Sequence, residues 1–136
     1  MKLAADANVL LDAVIGGRAR IILAHPDVQT VFTTKTTLSE VEEYAPLLAE
    51  KKRLRPDVLL LTIAALPLTV VDRSEYSRSL PEAIRRIGGR DPDDAELLAL
   101  ALHFDIPLWS NDRDFDNLGV ELYTTDRLLG RLGLSR

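Results

Sequence analysis

The chain has 136 residues, no cysteine, and 17 Lys+Arg against 21 Asp+Glu, a formal net charge of −4. That length suits one domain over residues 1–136, and a hydrophobic content of 46% is enough to build a core. The lack of cysteine excludes a disulfide scaffold, a thiolate zinc site and a cysteine nucleophile. Two histidines far apart in sequence, His25 and His103, argue against a histidine-rich metal site. The acidic balance gives no hint of a nucleic-acid binder, which usually carries a basic excess. The longest apolar stretch, Val58–Leu66, is broken by Thr62 and stopped by Pro67, well short of the ~20 residues a membrane span needs. Asp6 and Asp12 sit where a secretory signal needs an uncharged core. A cytoplasmic chain with no membrane partner is expected.

Lys2–Asp6 reads as a first strand, apolar enough to be buried on both faces. Asn8–Ile15 follows as a helix ended by Gly16-Gly17, and Arg18–Ala24 as a second helix stopped by Pro26. The β-branched and aromatic run Val28–Thr33 predicts a second strand. Thr36 or Thr37 can cap a helix over Leu38–Arg53, with Thr37 and Glu40 spaced as a capping box and Pro46 expected to kink or split it. Asp57–Leu66 predicts a helix, Leu68–Val71 a third strand, and Ser74–Ile87 a helix interrupted near Leu80-Pro81. Asp91-Pro92 then opens a helix over Asp93–Phe104, an Asp cap followed by proline at the first helical position. Pro107–Ser110 and Glu121–Thr124 complete the strands. A last helix starts at Thr125 or Asp126 and ends at Gly133. Strands alternating with helices make an α/β domain with a mostly parallel central sheet of about five strands, flanked by helices.

In such a sheet, sites form at the carboxyl ends of the strands. Asp6 ends the first strand and Asp112 lies two residues past the end of the fourth. A carboxylate at a buried strand end is costly unless a cation meets it, and a divalent metal does so well. Asp94 shares a helix face with Leu97, Leu98 and Ala101, the residues that helix should bury, so it faces the core at the helix mouth. Asp93 lines up with Glu96 on a more lateral face, and Asp91 is the natural cap. Glu40 is the more inward of the acids near it, and Glu43 belongs to a solvated face. Asp116 reads as a turn acid.

These residues resemble the PIN-domain nucleases, a family that includes the VapC-like toxins of toxin–antitoxin pairs. Four segments carry the resemblance in order: Asp6-Ala-Asn-Val-Leu-Leu-Asp12, Ser39-Glu40-Val41, Asp93-Asp94-Ala-Glu-Leu-Leu-Ala-Leu-Ala101 and Trp109-Ser-Asn-Asp-Arg-Asp-Phe115. Carried over residue by residue, the family's acidic cluster falls on Asp6, Glu40, Asp94 and Asp112. Asn8, Ser110 and Asp114 match supporting positions. Ala7 and Ser110 depart from the threonine or serine and the threonine common at those places, and Ala7 lacks a hydroxyl that would orient a ligand.

The resemblance implies metal-dependent endonucleolytic cleavage of RNA, with an antitoxin protein as partner and a homodimer as the expected assembly. Carboxylates converging without His or Cys suit a hard cation, Mg²⁺ or Mn²⁺. Asp6 and Asp94 would be the central ligands, with Glu40 and Asp112 completing the site. Arg90 and Arg113 flank the site acids and are the favoured substrate contacts. Lys51-Lys52-Arg53 reads as a solvated helix end, Trp109 as core, and both histidines as structural. Two other readings compete. One is a PIN-like module that holds RNA or a partner without cutting. The other is a Mg²⁺-dependent phosphatase or phospho-acceptor receiver, which the absence of an Asp-x-Asp pair at Asp6 disfavours. The helix pair around Leu47–Leu66 is a candidate seat for the antitoxin in an apolar groove, and its leucines are equally candidates for core or for a homodimer face.

Overall fold

The computed structural model describes residues 1–134, so the last two residues of the expected domain lie outside the described residues. The elements run β1 (Lys2–Ala5), α1 (Ala7–Val14), α2 (Arg18–Leu23), β2 (Thr30–Thr34), α3 (Lys35–Lys52), α4 (Pro56–Ala65), β3 (Thr69–Val71), α5 (Arg73–Tyr76), α6 (Leu80–Ile87), α7 (Pro92–Phe104), β4 (Leu108–Trp109), β5 (Leu122–Tyr123) and α8 (Thr125–Arg131). Short 3-10 turns at Ser77–Ser79 and Arg113–Phe115 complete the path.

All neighbouring strands are parallel, in the order β3-β2-β1-β4-β5. The α/β fold with a central parallel sheet is therefore as expected. This order differs from the 2-1-3-4-5 order of receiver-type folds, which removes the topological support for a phospho-acceptor receiver. The order reverses beside β1, with β2 on one side and β4 on the other.

Successive side chains of β1 serve opposite faces. Leu3 and Ala5 join one core with Val9, Leu10, Ile22, Val41, Trp109 and Leu128. Ala4 joins the other with Tyr76, Leu97, Leu98, Leu108 and Phe115. Both faces of β1 are covered, as its unbroken apolar run implies.

Several boundaries differ from the sequence reading. β2 starts at Thr30, because Val28 donates its N–H to the His25 carbonyl in a turn at 3.0 Å. α3 starts at Lys35, and its cap is Thr34, whose hydroxyl accepts the Thr37 N–H at 2.9 Å. Neither Thr36 nor Thr37 caps it, and no capping box forms; Glu40 lies in the second turn, with its carboxylate free of that task. Pro46 does not split α3. It is exposed, so water can serve the carbonyl that its missing N–H leaves without a helical partner. The interruption at Leu80-Pro81 is real: a short α5, a 3-10 turn and α6 replace one helix.

Candidate functional site

The register of the central strands builds the site. Ala5 of β1 lies beside Trp109 of β4, so the next residues, Asp6 and Ser110, emerge side by side although they are far apart in sequence. Asp6 is buried and caps α1: its Oδ1 accepts the Val9 N–H at 3.0 Å. Its Oδ2 accepts a hydrogen bond from the Ser110 hydroxyl. The Ser110 hydroxyl in turn accepts the Asp112 N–H at 3.0 Å, and Asp112 Oδ1 accepts the Asp114 N–H at 2.9 Å. One chain of hydrogen bonds thus links Asp6, Ser110, Asp112 and Asp114. Burial raises the Asp6 carboxyl above its ordinary pKa, opposed by the Ser110 hydrogen bond and the Val9 N–H and reinforced by the charge of Asp112.

α7 brings the second group of acids. Asp91 caps it, accepting the Asp93 N–H at 2.9 Å, and Pro92 occupies the first turn. Leu97, Leu98 and Ala101 are buried, as the face argument required, and Asp94 is half-buried at the helix mouth. Asp94 is pushed up to about 6, first by burial, then by the charges of Asp91 and Asp112; Arg90 works against the rise. Burial also raises Glu40, with Asp93, Asp91, Asp94 and Asp6 adding to it in that order. Asp6, Glu40, Asp94 and Asp112 therefore share one electrostatic neighbourhood.

Within it, the tightest group differs from the sequence expectation. Oxygens of Glu40, Asp91 and Asp93 lie within 4.8 Å of one another. From the sequence, Asp91 is expected only to cap α7 and Asp93 to lie on a lateral face. A cap uses one carboxylate oxygen and leaves the other available, which was the signal for Asp91. Asp93 is raised by burial and by Asp91.

The remaining predicted residues fall as follows. Asn8 is exposed, and its backbone N–H, rather than its side chain, favours the Asp6 carboxylate. Asp114 meets Arg90 Nη1 at 3.4 Å. The Arg90 Nε is buried without a hydrogen-bond partner among the described residues. Arg113 is exposed and turned to Asp116, at 3.2 Å. The indole of Trp109 is fully buried and donates to the Thr125 hydroxyl at 3.1 Å. Phe115 is core as well.

Crowded carboxylates with raised pKa values, without histidine or cysteine donors among them, fit a hard divalent cation by the chemistry of the donor set. They sit at the switch point of an open parallel sheet, where such folds bind ligands. The family profile of the PIN domain matches residues 5–133, and the chain belongs to the PIN domain family. Among solved structures it is similar to PAE2754 from Pyrobaculum aerophilum, with 17% identity and a TM-score of 0.73 over 99% of this chain and 91% of that one. It is also similar to a toxin–antitoxin complex from Klebsiella pneumoniae, at 19% identity and a TM-score of 0.66, covering 90% of this chain and 97% of that one. VapBC2 from Rickettsia felis, bound to a DNA fragment from its promoter, is similar at 14% identity and a TM-score of 0.64, over 91% of this chain and 98% of that one. No curated protein matches the sequence.

Proposed function

We propose that the chain is a divalent-metal-dependent endoribonuclease that hydrolyses RNA phosphodiester bonds, and that it is the toxin of a type II toxin–antitoxin pair. The observation that carries the first part is the shared neighbourhood of Asp6, Glu40, Asp94 and Asp112 at the sheet's switch point. Asp6 and Asp94 are the residues to hold Mg²⁺, or Mn²⁺ in its place, with Glu40 and Asp112 completing the set. Asp91 and Asp93 stand close enough to Glu40 to contribute. A divalent ion held there would lower the pKa of a coordinated water and stabilise charge on a phosphodiester.

The chain's own residues supply the rest. Ser110 fixes the Asp6 carboxylate through its hydroxyl. Arg90, steadied by Asp114 and partly exposed beside the acids, is the residue to hold a phosphate oxygen through its guanidinium. Arg113, engaged by Asp116, is the weaker of the two basic contacts.

The antitoxin part of the proposal draws on likeness to toxin–antitoxin structures and on the surface of α3 and α4. A groove of ≈ 340 Å³ opens there, lined by Leu38, Leu60, Ile63, Leu66, Leu68 and Val70 among others. Leu61 beside it is 70% exposed. Exposed leucines on one helix suit a protein partner, an antitoxin segment or a second copy in a homodimer.

Asp6→Asn tests the nuclease reading. The variant should keep a wild-type circular dichroism spectrum and lose Mg²⁺-dependent cleavage of single-stranded RNA. Wild-type cleavage by Asp6→Asn would sink the assignment, and RNA binding without cleavage by the native chain would favour a non-catalytic binding module.

A further inference from the structure

Glu96 lies one turn along α7 from Asp93, and its side chain is only 14% exposed. A buried carboxylate is costly unless hydrogen-bonded and paired. Here two other elements meet it. Thr36 Oγ1 in the first turn of α3 donates to Oε2 at 3.0 Å. From α5, the Tyr76 hydroxyl donates to Oε1 at 2.7 Å and Arg73 Nε lies 3.3 Å from the same oxygen. Tyr76 is buried, and burial together with the Glu96 carboxylate raises its hydroxyl pKa, so it stays a donor. A second tie runs alongside: Lys35 at the start of α3 pairs with Asp72, the cap of α5, at 3.0 Å.

The position of this knot matters more than its size. Thr36 is four residues before Glu40, on the same face of α3. Glu96 is three residues after Asp93, on the same face of α7. The Glu96 carboxylate therefore ties together the two helix segments that bring Glu40 up to Asp91 and Asp93. Those acids repel one another, and without a brace α3 would relieve the repulsion by moving off α7.

We infer that Glu96 is a positioning residue: clamped by Thr36, Tyr76 and Arg73, it sets the separation of Glu40 from Asp91 and Asp93, and through it the affinity of the cluster for a divalent cation. This rests on the proposed metal-dependent reading of the site.

The test is Mn²⁺ binding by calorimetry on the intact chain, with no substrate present. Tyr76→Phe removes one donor and keeps the buried ring; Glu96→Ala removes the whole clamp. Both should bind Mn²⁺ more weakly, Glu96→Ala by about tenfold, the scale at which loss of supporting groups affects metal sites. Glu96→Gln, which keeps an acceptor for Tyr76, should recover part of that loss. Leu128→Ala, a core truncation in α8, controls for general destabilisation. It should lower the melting temperature and leave Mn²⁺ affinity unchanged. Wild-type affinity in both Glu96→Ala and Tyr76→Phe would overturn the inference and leave the nuclease reading standing. A native chain that binds no Mn²⁺ would overturn the nuclease reading, and this inference with it.

Discussion

Ser110 is a small residue on which two acids depend. Its hydroxyl has one proton, given to Asp6, and it accepts the Asp112 N–H at 3.0 Å. Ser110→Ala leaves the buried Asp6 carboxylate and the part-buried Asp112 N–H each short of a bond, a loss of about 1–3 kcal/mol. We expect the variant to unfold at lower urea and to cleave RNA about tenfold more slowly or worse, while Ser110→Thr keeps the hydroxyl and stays near wild type. Parallel unfolding and cleavage measurements check both. Asp94 supplies a pH signature. Its folded pKa is raised to about 6, from an ordinary value of 3.8. Between those values the folded chain keeps a proton that the unfolded chain has released, so the contribution of Asp94 to stability is greatest at low pH and declines as pH rises through about 6. Asp6 and Glu40 are raised in the same direction. A cation that binds the ionised carboxylates reverses the loss. Stabilisation by Mg²⁺ in thermal melts should therefore be small near about pH 5 and larger near about pH 7.5; an equal shift at both would contradict it. The places of Asp6, Asp94 and Asp112 in the fold were legible from sequence because a strand end and a helix face are local patterns. The company Glu40 keeps was not, since the approach of Asp91 and Asp93 depends on how α3 packs beside α7, which no local spacing records.

Thr34 marks the limit of local reading at the scale of elements. The hydrophobic and β-branched pattern revealed nearly every strand and helix, and Asp91-Pro92 revealed the start of α7 through its capping chemistry. The start of α3 was misplaced because Thr34, Thr36 and Thr37 are equally good caps on paper. Only the end of β2 selects among them: Thr34 is the last strand residue, and its hydroxyl is buried against Thr37. Thr34→Ala should therefore cost about 1 kcal/mol, the usual loss of a cap, whereas Thr36→Ala should leave helix capping intact. The single tryptophan, Trp109, is buried in β4 and reports urea unfolding by fluorescence. A Thr34→Ala variant as stable as the native chain would argue against this cap. Pro46 misled for the opposite reason: a proline is read as a breaker, but on an exposed face solvent can replace the missing bond.

Across the whole molecule, the sheet order decides where the chemistry can sit. β1 and β4 meet at the point of reversal, and their register delivers Asp6 and Ser110 to one place. The charge of −4 takes on a different sense in that light. Setting aside Asp6, Glu40, Asp94 and Asp112 leaves 17 acids to match the 17 basic residues, so the acidic excess is no larger than the proposed site and does not argue against an RNA substrate. Basic side chains must then act by placement, the role proposed for Arg90 beside Asp114. The measurement that bears most directly on the account follows cleavage of single-stranded RNA by the native chain and by Asp94→Asn, first in excess chelator and then with Mg²⁺ restored. We expect no cleavage by either protein under chelation, recovery by the native chain alone, and none by Asp94→Asn at any Mg²⁺ concentration; cleavage that persists in chelator, or an Asp94→Asn variant as active as the native chain, would rule out a metal-dependent site built on Asp94.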